Sequence, residues 1–393
     1  MRFSKRMDNV KASAIREILK LTQNPNIISF AGGLPAPELF PIKEIKEITN
    51  KILDTAGEKA LQYSATDGFD PLREGIVKLL REKNIKNIEK ENVLITNGSQ
   101  QGLSFSGKIF LDPGDIVLVE SPSYLGAINA FRASGCQFVE IDTDADGMIM
   151  SDLEEAIKEN DAVRMIYVIP DFQNPTGKTW SLERRKELIA LANQYDLPVI
   201  EDNPYGELRF DGKDIPPIKS FDTEERVIYL GTFSKTFCPG LRIGWVLAEE
   251  EILNKYILLK QGSDLHTSSL GQRQIAGFLE DYDFKGHIDS LKKVYKVRRD
   301  LMMESIKKYF PEAIECTYPE GGLFTWVVLP EGIDTDEMMV KAVKKGVAYV
   351  PGGSFFPNGG HKNTMRINYS NMPNDKIVEG IKILGEVIKA EIK

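Results

Sequence analysis

The chain has 393 residues, 42% hydrophobic and 27% charged, so its length allows two or three domains or one large core with an appended lobe. Its 50 Lys and Arg against 58 Asp and Glu give a net charge of −8, which disfavours a general nucleic-acid-binding protein because such a protein needs a basic face. Three widely spaced cysteines, Cys136, Cys238 and Cys316, match neither a zinc pattern nor a disulfide framework. They favour a reducing compartment.

The amino-terminal segment is basic and predicts one amphipathic helix within residues 1–30, followed by the Gly- and Pro-rich loop AGGLPAPELFP. It lacks the apolar core of a signal peptide, and Asp8 and Glu17 interrupt its partial likeness to a mitochondrial presequence. No apolar run reaches the roughly 18 residues that a membrane-spanning helix needs. We therefore expect a cytoplasmic protein without a membrane segment.

The middle of the chain alternates short apolar runs with longer amphipathic segments. The segment 181–195 places Leu182, Leu188 and Ile189 on one face and predicts a helix capped by Ser181. Nearly continuous apolar strands alternating with helices predict an α/β core with a buried, mostly parallel sheet covered on both faces. The predicted strands are 91–96, 115–120, 136–141, 164–169, 197–202, 226–231 and 242–248.

The carboxyl-terminal part predicts a smaller α+β lobe. A charged helix over 287–310 precedes strands at 317–330, 346–353 and 364–370, and a final helix closes the chain. We predict a large domain over 31–290, a small domain over 291–393, and an arm over 1–30 that joins the small domain.

Ligands of open α/β sheets bind beyond the carboxyl ends of the strands, so the loops that follow strands are candidate sites. The first such loop, ITNGSQQGL, opens a helix at Ser99 and Gln100, and exposed amides there suit a phosphate. A plain Ser N-cap explains the same residues.

Two further loops place polar side chains after apolar strands. Asn174 lies in PDFQNPTG, where it can donate a hydrogen bond to a ligand, although Asn-Pro-Thr-Gly is also an ordinary turn. Asp202 ends another strand with Tyr205 three residues beyond it. An Asp there often caps a turn, whereas a buried carboxylate requires a partner.

The loop GTFSKTFCPGLRIGW surrounds Lys235 with the hydroxyls of Thr232, Ser234 and Thr236, and Arg242 follows within the next predicted strand. Hydroxyls with an arginine grip an oxyanion well. A lysine among apolar neighbours and an arginine can have a lowered pKa, which makes its neutral amine a nucleophile toward an aldehyde. Most lysines, however, are solvated surface residues.

Taken in order, these motifs make the chain resemble the pyridoxal-phosphate enzymes of fold type I, specifically the class I aminotransferases. The resemblance runs from SFAGGLPAPELFP to MRINYS and includes QYSATDGFDPLRE, NGSQQGL, QNPTG, EDNPYGEL and GTFSKTFCPGLRIGW. It implies an aspartate-aminotransferase-like fold: a large domain with a seven-stranded, mostly parallel sheet flanked by helices, and a small α+β domain.

The resemblance also implies roles for individual residues around pyridoxal 5'-phosphate. Lys235 would bond covalently to the cofactor and shuttle a proton, Asp202 would pair with the ring nitrogen, and Tyr124 would stack on the ring. Asn174 and Tyr205 would hydrogen-bond the phenolic oxygen of the ring. The phosphate would be held by Ser99, Gln100, Thr232 or Ser234, and Arg242. No metal is implied.

Three more positions match the family outside these loops. Tyr63 resembles the tyrosine that reaches the phosphate of the neighbouring subunit, so a homodimer with shared active sites is implied. Arg366 resembles the arginine that binds the substrate α-carboxylate, and Gly33 would lie over the substrate. Without the family, Tyr124 and Tyr205 read equally as core aromatics and Arg366 as part of a structural ion pair.

The opening SAIREILKLT is similar to the branch with 2-aminoadipate, lysine-pathway and kynurenine aminotransferases. Arg16 matches a position near the substrate side chain in that branch; otherwise it is a solvated arginine on an amphipathic helix. We therefore expect transfer of an amino group from an L-amino acid (2-aminoadipate, aromatic, branched or acidic) to a 2-oxo acid such as 2-oxoglutarate. The alternatives are a β-lyase, a decarboxylase, or the effector domain of a transcription regulator with this fold.

Overall fold

The computed structural model of the protein describes residues 1–4, 6–7 and 26–392. The strands are β1 (Ile28–Ser29), β2 (Val93–Thr96), β3 (Ile116–Glu120), β4 (Gln137–Ile141), β5 (Val163–Val168), β6 (Val199–Asp202), β7 (Val227–Thr232), β8 (Gly244–Leu247), β9 (Glu315–Cys316), β10 (Phe324–Val328), β11 (Val347–Ala348), β12 (Val350–Pro351) and β13 (Thr364–Asn368). The helices are α1 (Ile42–Leu61), α2 (Asp70–Glu82), α3 (Ser99–Phe110), α4 (Leu125–Arg132), α5 (Met150–Glu159), α6 (Leu182–Tyr195), α7 (Glu250–Ser263), α8 (Ser269–Asp281), α9 (Phe284–Tyr309), α10 (Thr335–Lys344) and α11 (Asn374–Glu391).

The largest sheet has seven strands in the order β2-β8-β7-β6-β5-β3-β4, and β8 alone runs antiparallel to its neighbours. Strands β2, β3, β6, β7 and β8 are buried at every position. Burial on both faces is why these segments read as continuous apolar runs instead of alternating ones. The predicted α/β fold with a mostly parallel seven-stranded sheet is confirmed.

The predicted core elements agree with the structure to within two residues at each end. The run 226–231 forms β7, and the segment 181–195 forms α6. Ser181 caps α6, because its side chain accepts a hydrogen bond from the backbone N–H of Arg184. The prediction for Arg242 was wrong, since it precedes β8 and lies in the left-handed region with φ 56°.

A second sheet of four strands, in the order β12-β13-β10-β9, is formed by the carboxyl-terminal part of the chain. The prediction of one strand over 317–330 was wrong: in that run the strand is β10 (Phe324–Val328), and across a turn it pairs antiparallel with β9, which ends at residue 316. Gly322 in that turn has φ +73°, a conformation that favours glycine and interrupts an extended strand. The run 346–353 also divides, because β11 pairs with β1 while β12 pairs with β13.

The first described strand, β1, is parallel to β11 and occupies positions that the sequence assigned to a helix and loop. Its Ile28 and the adjacent Phe30 are buried in the same hydrophobic core as Ile381 and Leu384 of α11. The domain limits stay a prediction, and α9 continues through the predicted boundary at residue 290. Of the helices in the described ranges, none combines the length and the apolar character required to cross a membrane.

Candidate functional site

Five parallel-running strands of the large sheet place polar residues at one edge. Strands β2, β3, β5, β6 and β7 all end there, so Asn97, Tyr124, Asn174, Asp202 and Lys235 follow or occupy the ends of neighbouring strands. Because β8 is antiparallel, its start lies at the same edge, which brings the loop before it to the same place. This edge is where open α/β sheets bind ligands.

Lys235 is half-buried three residues after the end of β7, and its Nζ donates a hydrogen bond to the carbonyl oxygen of Gly33 at 2.7 Å. The pKa of Lys235 is lowered to about 8, mainly by burial and also by the positive charges of Arg366 and Arg242, while the charge of Asp202 opposes the shift. A lysine with this pKa is partly neutral near physiological pH and can therefore act as a nucleophile.

Asp202 is 1% exposed at the end of β6. Its Oδ2 accepts a hydrogen bond from the hydroxyl of Tyr167 at 3.0 Å, whereas its Oδ1 has no hydrogen-bond partner within the described part of the chain. Burial raises the pKa of Asp202 to about 7, although the Tyr167 hydrogen bond and the charge of Lys235 act in the opposite direction. A buried carboxylate oxygen without a partner is costly, so a ligand donor is expected at Oδ1.

Arg366 projects from β13 of the small sheet and is 2% exposed. Its Nη1 donates to Oδ1 of Asn174 at 2.8 Å and its Nη2 to the carbonyl oxygen of Ala31 at 2.7 Å. Its Nε finds no partner in the described ranges, and its guanidinium lies 4.2 Å from the ring centre of Phe324. Burial lowers its pKa to about 10, so the group stays charged at neutral pH and can bind an anion.

Asn174 connects this arginine to the ring of Tyr205. Its Nδ2 donates to the Tyr205 hydroxyl oxygen at 3.3 Å, and both side chains are buried. Burial raises the pKa of Tyr205, so the hydroxyl keeps its proton and can donate a hydrogen bond. Asn174, Tyr205 and Arg366 thus form one network that joins residues of both sheets.

Helix α3 begins at Ser99 as predicted, but its N-cap residue is Gly98, so the alternative in which Ser99 caps the helix is wrong. Gly98 has φ +70°, and a Cβ atom there would lie 2.6 Å from Nη2 of Arg242. The missing side chain therefore lets the exposed Arg242 approach the first turn of α3. The hydroxyl of Thr232 donates to Oγ of Ser234 at 3.0 Å, and Gln100 Nε2 donates to the carbonyl oxygen of Gly126.

The other residues predicted from the sequence are Tyr124, Gly33, Tyr63 and Arg16. Tyr124 is half-buried, and its ring covers Gly126, where a Cβ atom would lie 2.4 Å from the ring. Gly33 faces Phe324, and a Cβ atom there would lie 4.0 Å from Nζ of Lys235. Tyr63 is 79% exposed and packs its ring edge-to-face on His266 at 5.9 Å. Arg16 lies outside the described residues.

Sequence reasoning missed Tyr167 and Phe324. Tyr167 is a polar residue inside the apolar strand β5, paired in register with Ile200 of β6, and this register brings it beside Asp202. Phe324 lies against Arg366 and packs edge-to-face with Tyr205 at 5.8 Å. The only sequence signals were a single hydroxyl in a buried strand and an aromatic after a Gly-Gly turn. Across the described ranges, no cluster of three or more His, Cys, Asp or Glu side chains forms a metal site.

Comparison with known proteins identifies the family. The family model for aminotransferase class I and II matches residues 26–384. The chain is 48% identical to aromatic-amino-acid aminotransferase 1 of Thermococcus litoralis, over 100% of this chain and 95% of that protein. Pyrococcus horikoshii kynurenine aminotransferase, solved with PMP, KYN as substrates and KYA as products, has a TM-score of 0.95 and 46% identity, covering 100% of this chain and 98% of that chain. An alpha-aminoadipate aminotransferase of Thermus thermophilus, complexed with N-(5'-phosphopyridoxyl)-L-leucine, has a TM-score of 0.93 and 40% identity, covering 99% of this chain and 98% of that chain. The chain therefore belongs to the class I and II aminotransferases and is an enzyme that uses pyridoxal 5'-phosphate.

Proposed function

We propose that this aminotransferase moves the amino group of an aromatic or long acidic L-amino acid to a 2-oxo acid such as 2-oxoglutarate, in two half-reactions. The relatives named for aromatic amino acids, kynurenine and α-aminoadipate support this choice of donors. The residue assignments rest on one observation: buried Asp202 has one oxygen without a hydrogen-bond partner among the described residues, at the sheet edge that also carries Lys235.

The chemistry of these side chains fits pyridoxal phosphate. When bound, this cofactor supplies an aldehyde and a protonated ring that accepts electrons from the substrate α-carbon. Asp202 Oδ1 can accept the hydrogen bond of the ring N–H, which supplies its missing partner and keeps the proton at the ring nitrogen. Asn174 and Tyr205 supply donors for the phenolic oxygen, and half-buried Tyr124 supplies a flat ring surface.

Lys235 and Arg366 act on the reacting centre in this proposal. Lys235 Nζ, with its lowered pKa, would hold the cofactor at its aldehyde carbon, and once the substrate amine has displaced it the free Nζ would accept the proton from the substrate α-carbon. Arg366 binds the α-carboxylate, for which its Nε is an available donor. Fixing the carboxylate orients the α-hydrogen toward the lysine, and Gly33 leaves room for the substrate beside it.

The phosphate is gripped where α3 begins. The amides of Ser99 and Gln100, the hydroxyls of Thr232 and Ser234, and the guanidinium of Arg242 converge on this part of the edge in our proposal. Gly98 supports it, because a side chain at that position would displace Arg242 from the helix terminus.

Substitutions of the two central residues test the assignment. Lys235→Ala should abolish turnover and the absorbance change that accompanies covalent cofactor attachment, whereas Lys213→Ala, at an exposed lysine, should change neither. Asp202→Ala should slow α-proton removal far more than it weakens cofactor binding. Sustained multiple turnover by Lys235→Ala, or normal turnover by Asp202→Ala, would refute the assignment.

The choice of amino donor is tested by a screen of half-reactions. Each amino acid, together with 2-aminoadipate and kynurenine, is added to the cofactor-loaded enzyme and the loss of cofactor absorbance is followed. We expect the fastest reactions with aromatic and long acidic donors. Arg16→Ala should then lower kcat/KM for acidic donors more than for neutral ones, while Arg6→Ala should not discriminate. Equal loss for both donor classes would exclude a role for Arg16 in donor choice.

We further propose that the enzyme is a homodimer in which Tyr63 completes the partner's phosphate grip. The exposed ring of Tyr63 packs on His266, and Leu61 and Leu265, close to these two residues in the chain, have exposed apolar side chains that a second copy of this chain would cover. Mixing inactive Lys235→Ala with weakly active Tyr63→Ala should restore activity, up to about a quarter of the wild-type value for random pairing. A mixture no more active than its components would contradict shared sites.

A cytoplasmic location is also proposed. It is supported by three cysteines, Cys136, Cys238 and Cys316, that form no disulfide. Recovery of the activity in the cytosolic fraction of the source cells would support this location, and recovery in an exported or organellar fraction would exclude it.

A further inference from the structure

An ion pair between a buried lysine and a half-buried aspartate lies behind the residues proposed to bind the phosphate. The side chain of Lys260, near the end of α7, is 0% exposed. Its Nζ donates to both carboxylate oxygens of Asp264 and to Oε1 of Gln101, each at 3.0 Å. Burial lowers the pKa of Lys260, and Asp264 counteracts that effect. The charge of this lysine is therefore maintained by a carboxylate held in one position.

The same carboxylate holds the loop between β2 and α3. Asp264 Oδ2 accepts hydrogen bonds from Nδ2 of Asn97 and, at 2.8 Å, from Nε2 of Gln101. Gln101 Oε1 in turn accepts the backbone N–H of Asn97 at 2.9 Å. Both the side chain and the backbone of Asn97 are thus fixed by a network that ends on Lys260.

Arg242 contacts the same loop through the main chain of Asn97. Its Nη2 donates weakly to the carbonyl oxygen of Asn97 at 3.5 Å, and Gly98 leaves the space that this approach requires. Asn97 is therefore held through its side chain and amide by Asp264 and Gln101, and its carbonyl faces Arg242. Movement of Asn97 would change the direction of the first amides of α3 and their spacing from Arg242.

Burial of the Lys260 ammonium carries a desolvation cost, which the carboxylate of Asp264 offsets. Replacing a buried ion pair by well-packed apolar residues is often neutral or stabilising, whereas removing one partner leaves an uncompensated charge. A pair retained beside a binding loop and linked to it by several hydrogen bonds restricts that loop to one conformation. Groups that orient ligand-binding residues in this way strongly affect ligand affinity.

We propose that Lys260 and Asp264 are positioning residues for the cofactor phosphate, which they affect through Asn97 and Gln101 by fixing the first turn of α3 against Arg242. This rests on the proposed assignment of that turn as the phosphate grip. Neither residue is expected to touch the cofactor or the substrate. Their effect should therefore depend on the phosphate and not on the aldehyde or the ring.

Comparing two ligands that differ only in the phosphate tests this proposal. The affinities of the cofactor-free protein for pyridoxal phosphate and for pyridoxal are measured by equilibrium titration of their absorbance. Asp264→Asn should lower the affinity for pyridoxal phosphate about tenfold, the loss expected when a supporting contact of a ligand-binding group is removed. It should change the affinity for pyridoxal less than about twofold. Asp264→Glu, which keeps the charge, should restore part of the loss. Inorganic phosphate should compete less well for the Asp264→Asn protein.

Asp222→Asn is the matched control. Asp222 forms an ion pair with Lys219 in which the aspartate side chain is buried, and it lies before β7, at the opposite edge of the sheet. This variant should lose stability without changing the preference for pyridoxal phosphate over pyridoxal. If Asp264→Asn fails to fold, Lys260→Met replaces the buried ammonium with an apolar chain of similar length and should lower the same preference about threefold.

The outcomes separate this inference from the proposed function. If Arg242→Ala lowers the preference for the phosphorylated ligand but Asp264→Asn and Lys260→Met do not, the positioning role is wrong and the assignment of the phosphate-binding residues is retained. If Arg242→Ala has no effect on that preference either, the phosphate assignment itself is wrong. Equal weakening of both ligands by Asp264→Asn would indicate general disorder of the site and would overturn the positioning role.

Discussion

Tyr167→Phe isolates one hydrogen bond to the carboxylate that we place against the cofactor ring. The substitution removes the hydroxyl that donates to Asp202 Oδ2 at 3.0 Å. The ring remains, and so does its edge-to-face contact with Phe131 at 5.4 Å. Asp202 then lacks a hydrogen-bond donor at both oxygens among the described residues, because Oδ1 is already without one.

The size of the effect follows from the charge of the acceptor. A hydrogen bond to an ionised group contributes about 1.5–3 kcal/mol, and one pKa unit corresponds to about 1.4 kcal/mol. Since burial already raises the pKa of Asp202 to about 7 and the Tyr167 bond opposes that rise, its loss should raise the pKa by about one to two more units. The carboxyl is then protonated over a wider range and holds the ring proton less well.

The sign of this shift determines the assay. Because the pKa rises, activity of Tyr167→Phe should be lost most at low pH and should recover as pH increases. The measurement is kcat/KM for one amino donor from about pH 5.5 to about pH 9. The control is Tyr256→Phe, another buried tyrosine, whose hydroxyl bonds to Ser106 at 2.7 Å and not to a carboxylate. Profiles of Tyr167→Phe and wild type that differ only by a constant factor would refute the reasoning.

Three further predictions concern other parts of the molecule. The pKa of Lys235 is lowered to about 8, so the rate at which the cofactor-free protein combines with pyridoxal should fall as the pH drops through 8 and should level off above it. A rate that continues to rise up to about pH 10, as for an exposed lysine, would contradict this prediction. Gly98→Ala places a side chain at a residue with φ +70°, a conformation that glycine adopts most easily, and puts its Cβ atom 2.6 Å from Arg242. The substitution should lower the free energy of unfolding by about 1–3 kcal/mol in chemical denaturation, and it should weaken the binding of pyridoxal phosphate more than that of pyridoxal. Ser181→Ala removes the N-cap hydrogen bond from the backbone N–H of Arg184, so it should lower the free energy of unfolding by about 0.5–2 kcal/mol without changing kcat/KM. An unchanged denaturation midpoint would show that this hydrogen bond does not stabilise the helix.

The sequence by itself determined the α/β core, because a strand buried on both faces must be apolar throughout. This local requirement identified β7 and the other strands of the large sheet and located the loops with Asn174, Asp202 and Lys235. Together with the motifs shared with the family, it also indicated the cofactor. The turn within 317–330 was missed because Gly321 and Gly322 were read as part of one extended run, and the local pattern does not show where strand pairing reverses.

Only the tertiary structure decided which of these groups are in contact and how their pKa values are shifted. Arg366 contacts Asn174 across 192 positions of the chain, and Lys235 contacts Gly33 across 202. The partner of Asp202 is Tyr167, which the sequence presents as one more residue of a buried strand. The lowered pKa of Lys235 and the raised pKa of Asp202 arise mainly from burial. Burial and long-range contacts depend on how the whole chain packs, so local sequence supplies the chemical groups while packing sets their charge and geometry.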